Sequence, residues 1–148
     1  MYIFPTRNAY AKSSDPNSGE KASELLGRMT GMYNAGQKDL KPDLITYTGV
    51  MQAIIKDTND FSHLDAAHKA TKMLNYIESV FDQTGDEQFR PDRSVYNLVL
   101  GAWSKSSAKN AAAMKRSIRE RMIQRNIRTY RNPLRRSVRV LKQRRRTR

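Results

Sequence analysis

Lys41-Pro42-Asp43-Leu44-Ile45-Thr46-Tyr47-Thr48 and Arg90-Pro91-Asp92-Arg93-Ser94-Val95-Tyr96-Asn97 are two versions of one string, 49 residues apart. Extended on both sides, residues 36–56 and 85–105 agree at 7 of 21 positions: Gly36/Gly85, Pro42/Pro91, Asp43/Asp92, Tyr47/Tyr96, Val50/Val99, Ala53/Ala102 and Lys56/Lys105. About one agreement is expected between unrelated segments of that length. Leu40/Phe89 and Lys41/Arg90 are conservative pairs. A second alignment joins Ala22-x-x-Leu25-Leu26-x-x-Met29 to Ala70-x-x-Met73-Leu74-x-x-Ile77, with Tyr33 against Phe81. The chain is therefore repetitive, with a period of roughly 44 to 49 residues, in the range of helical repeat units.

Each unit reads as two helices. Leu44, Tyr47, Met51, Ile54 and Ile55 share one face at helical spacing, and Val95, Val99, Ala102 and Trp103 do the same one period later. Pro42 and Pro91 end the segments before them, and the Asp43 and Asp92 carboxylates can cap the new helices. Ala67, Ala70, Leu74, Ile77 and Phe81 form the stripe of a following helix, opened by a capping box at Ser62-x-x-Asp65. Gly36 and Gly85 stop the second helices. No segment alternates apolar and polar residues over a strand length, so the expected class is all-α.

A lone helical pair cannot bury its stripe, so copies must stack. The expected architecture is a helix-turn-helix solenoid of about two and a half units. The units are 1–43 (lacking its opening), 44–92, and the start of a third at 93–114. Residues 115–148 read as an arginine-rich tail, disordered or partly helical, in which only Ile118 and Met122 continue the stripe. Both ends look cut, which fits a piece of a longer array.

Charge divides at the same point. Of the 148 residues, 1–114 hold 13 Lys and Arg against 13 Asp and Glu, while 115–148 hold 15 against Glu120 alone, the whole formal +14. There is no cysteine, which excludes disulfides, thiolate zinc sites and cysteine nucleophiles. No apolar run approaches the ~18 residues of a spanning helix. Residues 1–14 contain Arg7 and Lys12 and no acid, a faint presequence-like pattern, alongside the plainer reading as part of the first helix.

These strings resemble the pentatricopeptide repeat family: a Pro-Asp at the unit junction, then a tyrosine and a small polar residue opening the next helix. The resemblance covers about residues 1–114. The units are longer than the family's usual size, near 35 residues, and in that respect are similar to the repeat region of protein-only RNase P. The aspartate cluster of that enzyme's nuclease domain has no counterpart here, and the chain is read as a non-enzyme.

The resemblance implies sequence-selective binding of single-stranded RNA in support of organellar RNA processing or expression, in mitochondria or plastids. It also implies the readers: the polar residue after the tyrosine and the last residue of the unit. Thr48 then pairs with Asp92, a combination that implies guanine. Asn97 is then the reader of the third unit, whose closing residue is missing, and Asp43 closes the first, where Phe4 stands near the reader position. The plainer reading keeps Asp43 and Asp92 as caps and Thr48 and Asn97 as polar first-turn residues. Tyr47, Tyr96 and Trp103 are expected in the core rather than stacked on bases.

In the tail, Arg135, Arg136, Arg139, Lys142, Arg144, Arg145 and Arg146 surround Leu134, Val138 and Leu141. They are expected to neutralise phosphates, and the run also suits nuclear import. Out-of-frame sequence is the competing explanation. His63 and His68 are five apart and do not share a face as metal ligands would. Asp57, Asp60 and Asp65 are read as caps and solvated charge, and Gly27-x-x-x-Gly31 as a place of close packing. No cofactor, metal, membrane or small-molecule substrate is implied. The alternative function is a tetratricopeptide-like solenoid binding a protein partner.

Overall fold

The computed structural model describes residues 16–57 and 62–127, and these are helical, with no strand among them. Five helices succeed one another: α1 (Ser18–Asn34), α2 (Leu44–Lys56), α3 (His63–Thr84), α4 (Arg93–Lys105) and α5 (Ala111–Gln124). A 3₁₀ turn at Lys38–Leu40 precedes α2, and another at Glu87–Phe89 precedes α4. Each helix packs on the next, and α2 also touches α4.

The period seen in the sequence is carried into the backbone. Both 3₁₀ turns, both following helices and both caps are displaced by the same 49 residues. Asp43 accepts the Thr46 N–H at 2.9 Å, and Asp92 accepts the Val95 N–H at 3.0 Å, satisfying donors that a helix start leaves unpaired. Ser62 and Asp65 form the expected box on α3, with the Asp65 N–H donating to Ser62 Oγ at 3.1 Å. Gly36 and Gly85 both have positive φ, at 111° and 66°, a region where a Cβ is penalised.

α2 departs from a one-stripe helix. Thr46, Tyr47, Gly49, Val50, Met51, Ala53 and Ile54 are all buried, because α2 lies among α1, α3 and α4. Its apolar residues divide between two clusters. Val50, Ala53 and Ile54 join Ala22 and Ala66, while Tyr47 and Met51 join the larger core containing Leu74, Ile77, Tyr96, Trp103, Ile118 and Met122. Leu26 and Met73 pack against both, so the apolar spine is continuous. Tyr96 and Trp103 are fully buried and Tyr47 is 8% exposed, as expected for packing residues.

Three expectations need correction. The boundary at 114/115 falls inside α5, because Ala111, Ile118 and Met122 are buried and hold the helix on the core despite its arginines. Residues 128–148 lie outside the described part. Asp57 is a cap, as read, but not solvated charge: it is 3% exposed at the end of α2 and caps α1, where its Oδ2 accepts the Gly19 N–H at 3.0 Å. Asn17, at the start of α1, makes no side-chain cap bond, so Asp57 supplies the anion that a helix N-terminus favours. Gly27 and Gly31 do not mark close packing; a Cβ on either would meet nothing within 4 Å. The close approach is at Gly19, where a Cβ would lie 2.9 Å from Ile54 Cα.

α5 ends as α1 does. The Gln37 N–H bonds to Met32 O and the Gly36 N–H to Tyr33 O; ninety residues on, Ile127 bonds to Met122 O and Asn126 to Ile123 O. This is the paired closure that satisfies the last carbonyls of a helix. Asn126 takes the positive φ, 56°, that Gly36 takes in α1.

Candidate nucleic-acid interface

Thr48 and Asn97 are each the fifth residue of their helix, on α2 and α4, which touch. Asn97 is exposed and Thr48 half-buried. The Thr48 hydroxyl donates to Leu44 O at 2.7 Å, which commits its proton and leaves oxygen lone pairs as its remaining capacity. Asp92 is exposed, and its cap bond uses Oδ1. Asp43 is more engaged: half-buried, its Oδ1 accepts both the Thr46 N–H and, at 2.8 Å, the Thr46 hydroxyl. Val95 stands at the position of Thr46 in the later unit and has no hydroxyl, so Asp92 is the less committed of the two. Both aspartates are caps, as the plainer reading has it.

Two features of these helices were not singled out from sequence. Ile45, one turn before Thr48, is 54% exposed although large and apolar. Lys56 and Lys105, one of the seven identities, are the exposed last residues of α2 and α4. The identity was visible; its position at the end of two equivalent helices required the helix bounds.

The edge where these helices begin is held by ion pairs. Lys41, before α2, pairs with Asp86, before α4, tying consecutive junctions together. The bond raises the Lys41 ammonium and lowers the Asp86 carboxyl from their ordinary values. Arg90, the later counterpart of Lys41, instead forks onto Glu87 through two bonds of 2.6 Å. Behind the edge, the rings of Tyr47, Tyr76 and Phe89 cluster in tilted and edge-on pairs, with centroids 5.4 to 6.4 Å apart. Burial pushes the Tyr47 and Tyr96 phenols well above their ordinary range.

On the other side of α4, Glu78 of α3 is 8% exposed and collects the Tyr96 hydroxyl, Arg121 and, at 3.5 Å, Arg125. Arg125 also forks onto Asp82 at 2.6 and 2.8 Å, and Arg121 donates to Asn75 at 2.8 Å. These bonds seat α5, and no buried side-chain polar atom is left without a partner among the described residues. His63 and His68 are exposed, the latter edge-on to Trp103 at 5.0 Å. Among the described residues no cluster of three potential metal ligands exists, and no helix is long and apolar enough to cross a membrane.

The described residues up to 110 carry 11 basic and 11 acidic side chains, whereas α5 carries four and one. The tail cations proposed for phosphate, Arg135, Arg136, Arg139, Lys142, Arg144, Arg145 and Arg146, and the reader-position Phe4, lie outside the described residues. The chain matches no protein-family model, no curated protein and no solved structure.

Proposed function

We propose that the chain is a helical-repeat solenoid of the pentatricopeptide kind that binds single-stranded RNA, without catalysis, with Thr48 and Asp92 reading one guanine. The observation that carries the reading is the hydrogen-bond capacity left at these two residues. Thr48 has spent its proton on Leu44 O, and Asp92 is an acceptor, so both face a ligand as acceptors. Guanine's Watson–Crick edge offers two adjacent donors, N1–H and N2–H, and single-stranded RNA exposes that edge.

Further support comes from the 49-residue displacement of the A-type helices α2 and α4 and from their contact, the geometry a stacked array needs to present successive bases with successive helices. Ile45 offers an apolar surface for a base face, and Lys56 and Lys105 offer repeated positive charge to the backbone. An organellar setting rests on the family resemblance. The neutrality of the array up to residue 110 favours the second reading, a solenoid with a protein partner in place of RNA.

The test exploits the double duty of Asp92. Asparagine caps a helix about as well as aspartate, so Asp92→Asn keeps the fold but turns an acceptor into a group that also donates. Fluorescence anisotropy with guanine-containing and guanine-free oligomers should show a preference for guanine in the parent chain. Asp92→Asn should lose that preference at unchanged thermal stability. Equal affinity for both oligomers in the parent chain defeats the reading.

A further inference from the structure

α5 repeats α3 at an offset of 41 residues. Ala70, Met73 and Ile77 recur as Ala111, Met114 and Ile118, and each pair is buried or half-buried alike. α3 uses a second face to receive α4 and α5. There Thr71 accepts the Trp103 Nε1–H at 2.8 Å, Leu74 is fully buried, Glu78 takes Tyr96 and Arg121, and Asp82 takes Arg125. The same register positions on α5 are Ala112, Lys115, Arg119 and Ile123. Three of them are open among the described residues: Ala112 and Arg119 are exposed, and Ile123 is 64% exposed, the most exposed large apolar side chain described; Lys115 is half-buried.

This face keeps the spacing of a helix seat, at i, i+3, i+7 and i+11, with Arg119 in the place of Glu78, Lys115 in that of Leu74 and Ile123 in that of Asp82. Where α3 offers carboxylates to incoming arginines, α5 offers Lys115 and Arg119 beside Ala112 and Ile123. Arg121 and Arg125 are committed to Glu78 and Asp82. Arg119 has no carboxylate partner among the described residues, and Lys115 makes only a 3.4 Å contact with Ser104 Oγ.

We infer that this face of α5 is a docking surface for a helix of another protein whose apolar stripe is flanked by Asp and Glu. Charge complementarity selects that occupant. Residues 1–15 and 128–148 hold 12 basic residues against Asp15 alone, a composition that does not complement Lys115 and Arg119. A phosphate backbone would use the two cations but has no need of Ala112 and Ile123 in helix register. The inference rests on the register between α3 and α5 and stands apart from the guanine reading.

The experiment uses the full chain with methyl-labelled isoleucine and three probes. These are a synthetic amphipathic peptide with leucines at i, i+3 and i+7 flanked by glutamates, the same residues in scrambled order, and an oligouridylate of equal charge. The stripe-bearing peptide should shift the Ile123 methyl signal and bind about tenfold tighter than the scrambled one. Arg119→Glu, and separately Ile123→Asp, should each weaken it about tenfold while leaving oligouridylate binding unchanged. Equal binding of the scrambled peptide would assign the affinity to the basic tail and overturn the inference. So would an Ile123 shift produced by oligouridylate and lost in Arg119→Glu, which would make the face a phosphate surface. Absence of any Ile123 shift overturns it as well.

Discussion

Replacing Gly19 with alanine pits two opposite effects on one helix. Alanine is the better helix former by about 1 kcal/mol, and less at the second residue of α1 than in its middle. Against that gain, the new Cβ would sit 2.8 Å from Asp57 Cβ, 2.9 Å from its Oδ2 and 2.9 Å from Ile54 Cα. The last of these is backbone and cannot rotate away. Overpacking of this kind costs about 1–3 kcal/mol. Pushing α1 away also stretches the buried Gly19 N–H to Asp57 bond, and hydrogen bonds to charged groups contribute about 1.5–3 kcal/mol. Strain therefore wins, and Gly19→Ala should destabilise the chain by about 2 kcal/mol. Gly27→Ala is the internal control, because nothing lies within 4 Å of its Cβ and only the propensity gain remains. It should stabilise by about 0.5–1 kcal/mol. Urea unfolding followed by helical circular dichroism should rank the midpoints Gly27→Ala, parent, Gly19→Ala, with an unchanged slope. A Gly19→Ala midpoint at or above that of Gly27→Ala would refute the close approach of α1 to α2.

Glu78→Ala should cost about 1–3 kcal/mol, chiefly because it leaves the buried Tyr96 hydroxyl without its acceptor while Arg121 keeps Asn75, and it should release α5 as extra amide exchange over 111–127; exchange unchanged over α5 would show that apolar contacts alone seat it. The carboxyls of Asp82, Asp86 and Glu87 are lowered by Arg125, Lys41 and Arg90. Their stabilisation is full above the ordinary values of 3.8 and 4.5 and is lost as pH falls through the lowered folded values, so the urea midpoint should decline in that acid window, less so in Asp86→Asn. The Tyr47 and Tyr96 phenols are raised by burial, so their contribution is present below the ordinary value of 10.0 and lost as pH rises beyond it. Alkaline ultraviolet titration should therefore find Tyr47 and Tyr96 ionising only together with loss of helix, and Tyr96→Phe should reduce that late transition.

The A-type helices, their caps and the glycine stops were legible because each depends on neighbours in sequence: a proline, an aspartate, a tyrosine one turn on. α5 was harder to see. Its inner stripe, Ala111, Met114, Ile118 and Met122, has helical spacing, but the arginines between those residues dominate the composition. Arg121 among them, and Arg125 just past the helix, are bonded to acids 43 residues earlier, a pairing that no local pattern records. The same applies to Asp57, whose partner Gly19 is 38 residues away. Read locally, Asp57 is a turn residue and Gly19 a weak helix former. Gly27 and Gly31 mislead in the other direction, since small residues at i and i+4 imply a contact only where a neighbour exists. At the candidate interface, the positions of Thr48, Asp92 and Asn97 followed from phase alone. Their remaining capacity for a ligand did not, because it depends on which lone pairs and protons the helix starts have already used.

The B-type helices α1, α3 and α5 differ in length, at 17, 22 and 14 residues, while the A-type helices α2 and α4 are both 13. The stretch from each glycine stop to the next proline-headed start is identical in layout. The extra length of α3 over α1 therefore lies mainly at its N-terminal end, away from the glycine that leads into the next capped helix.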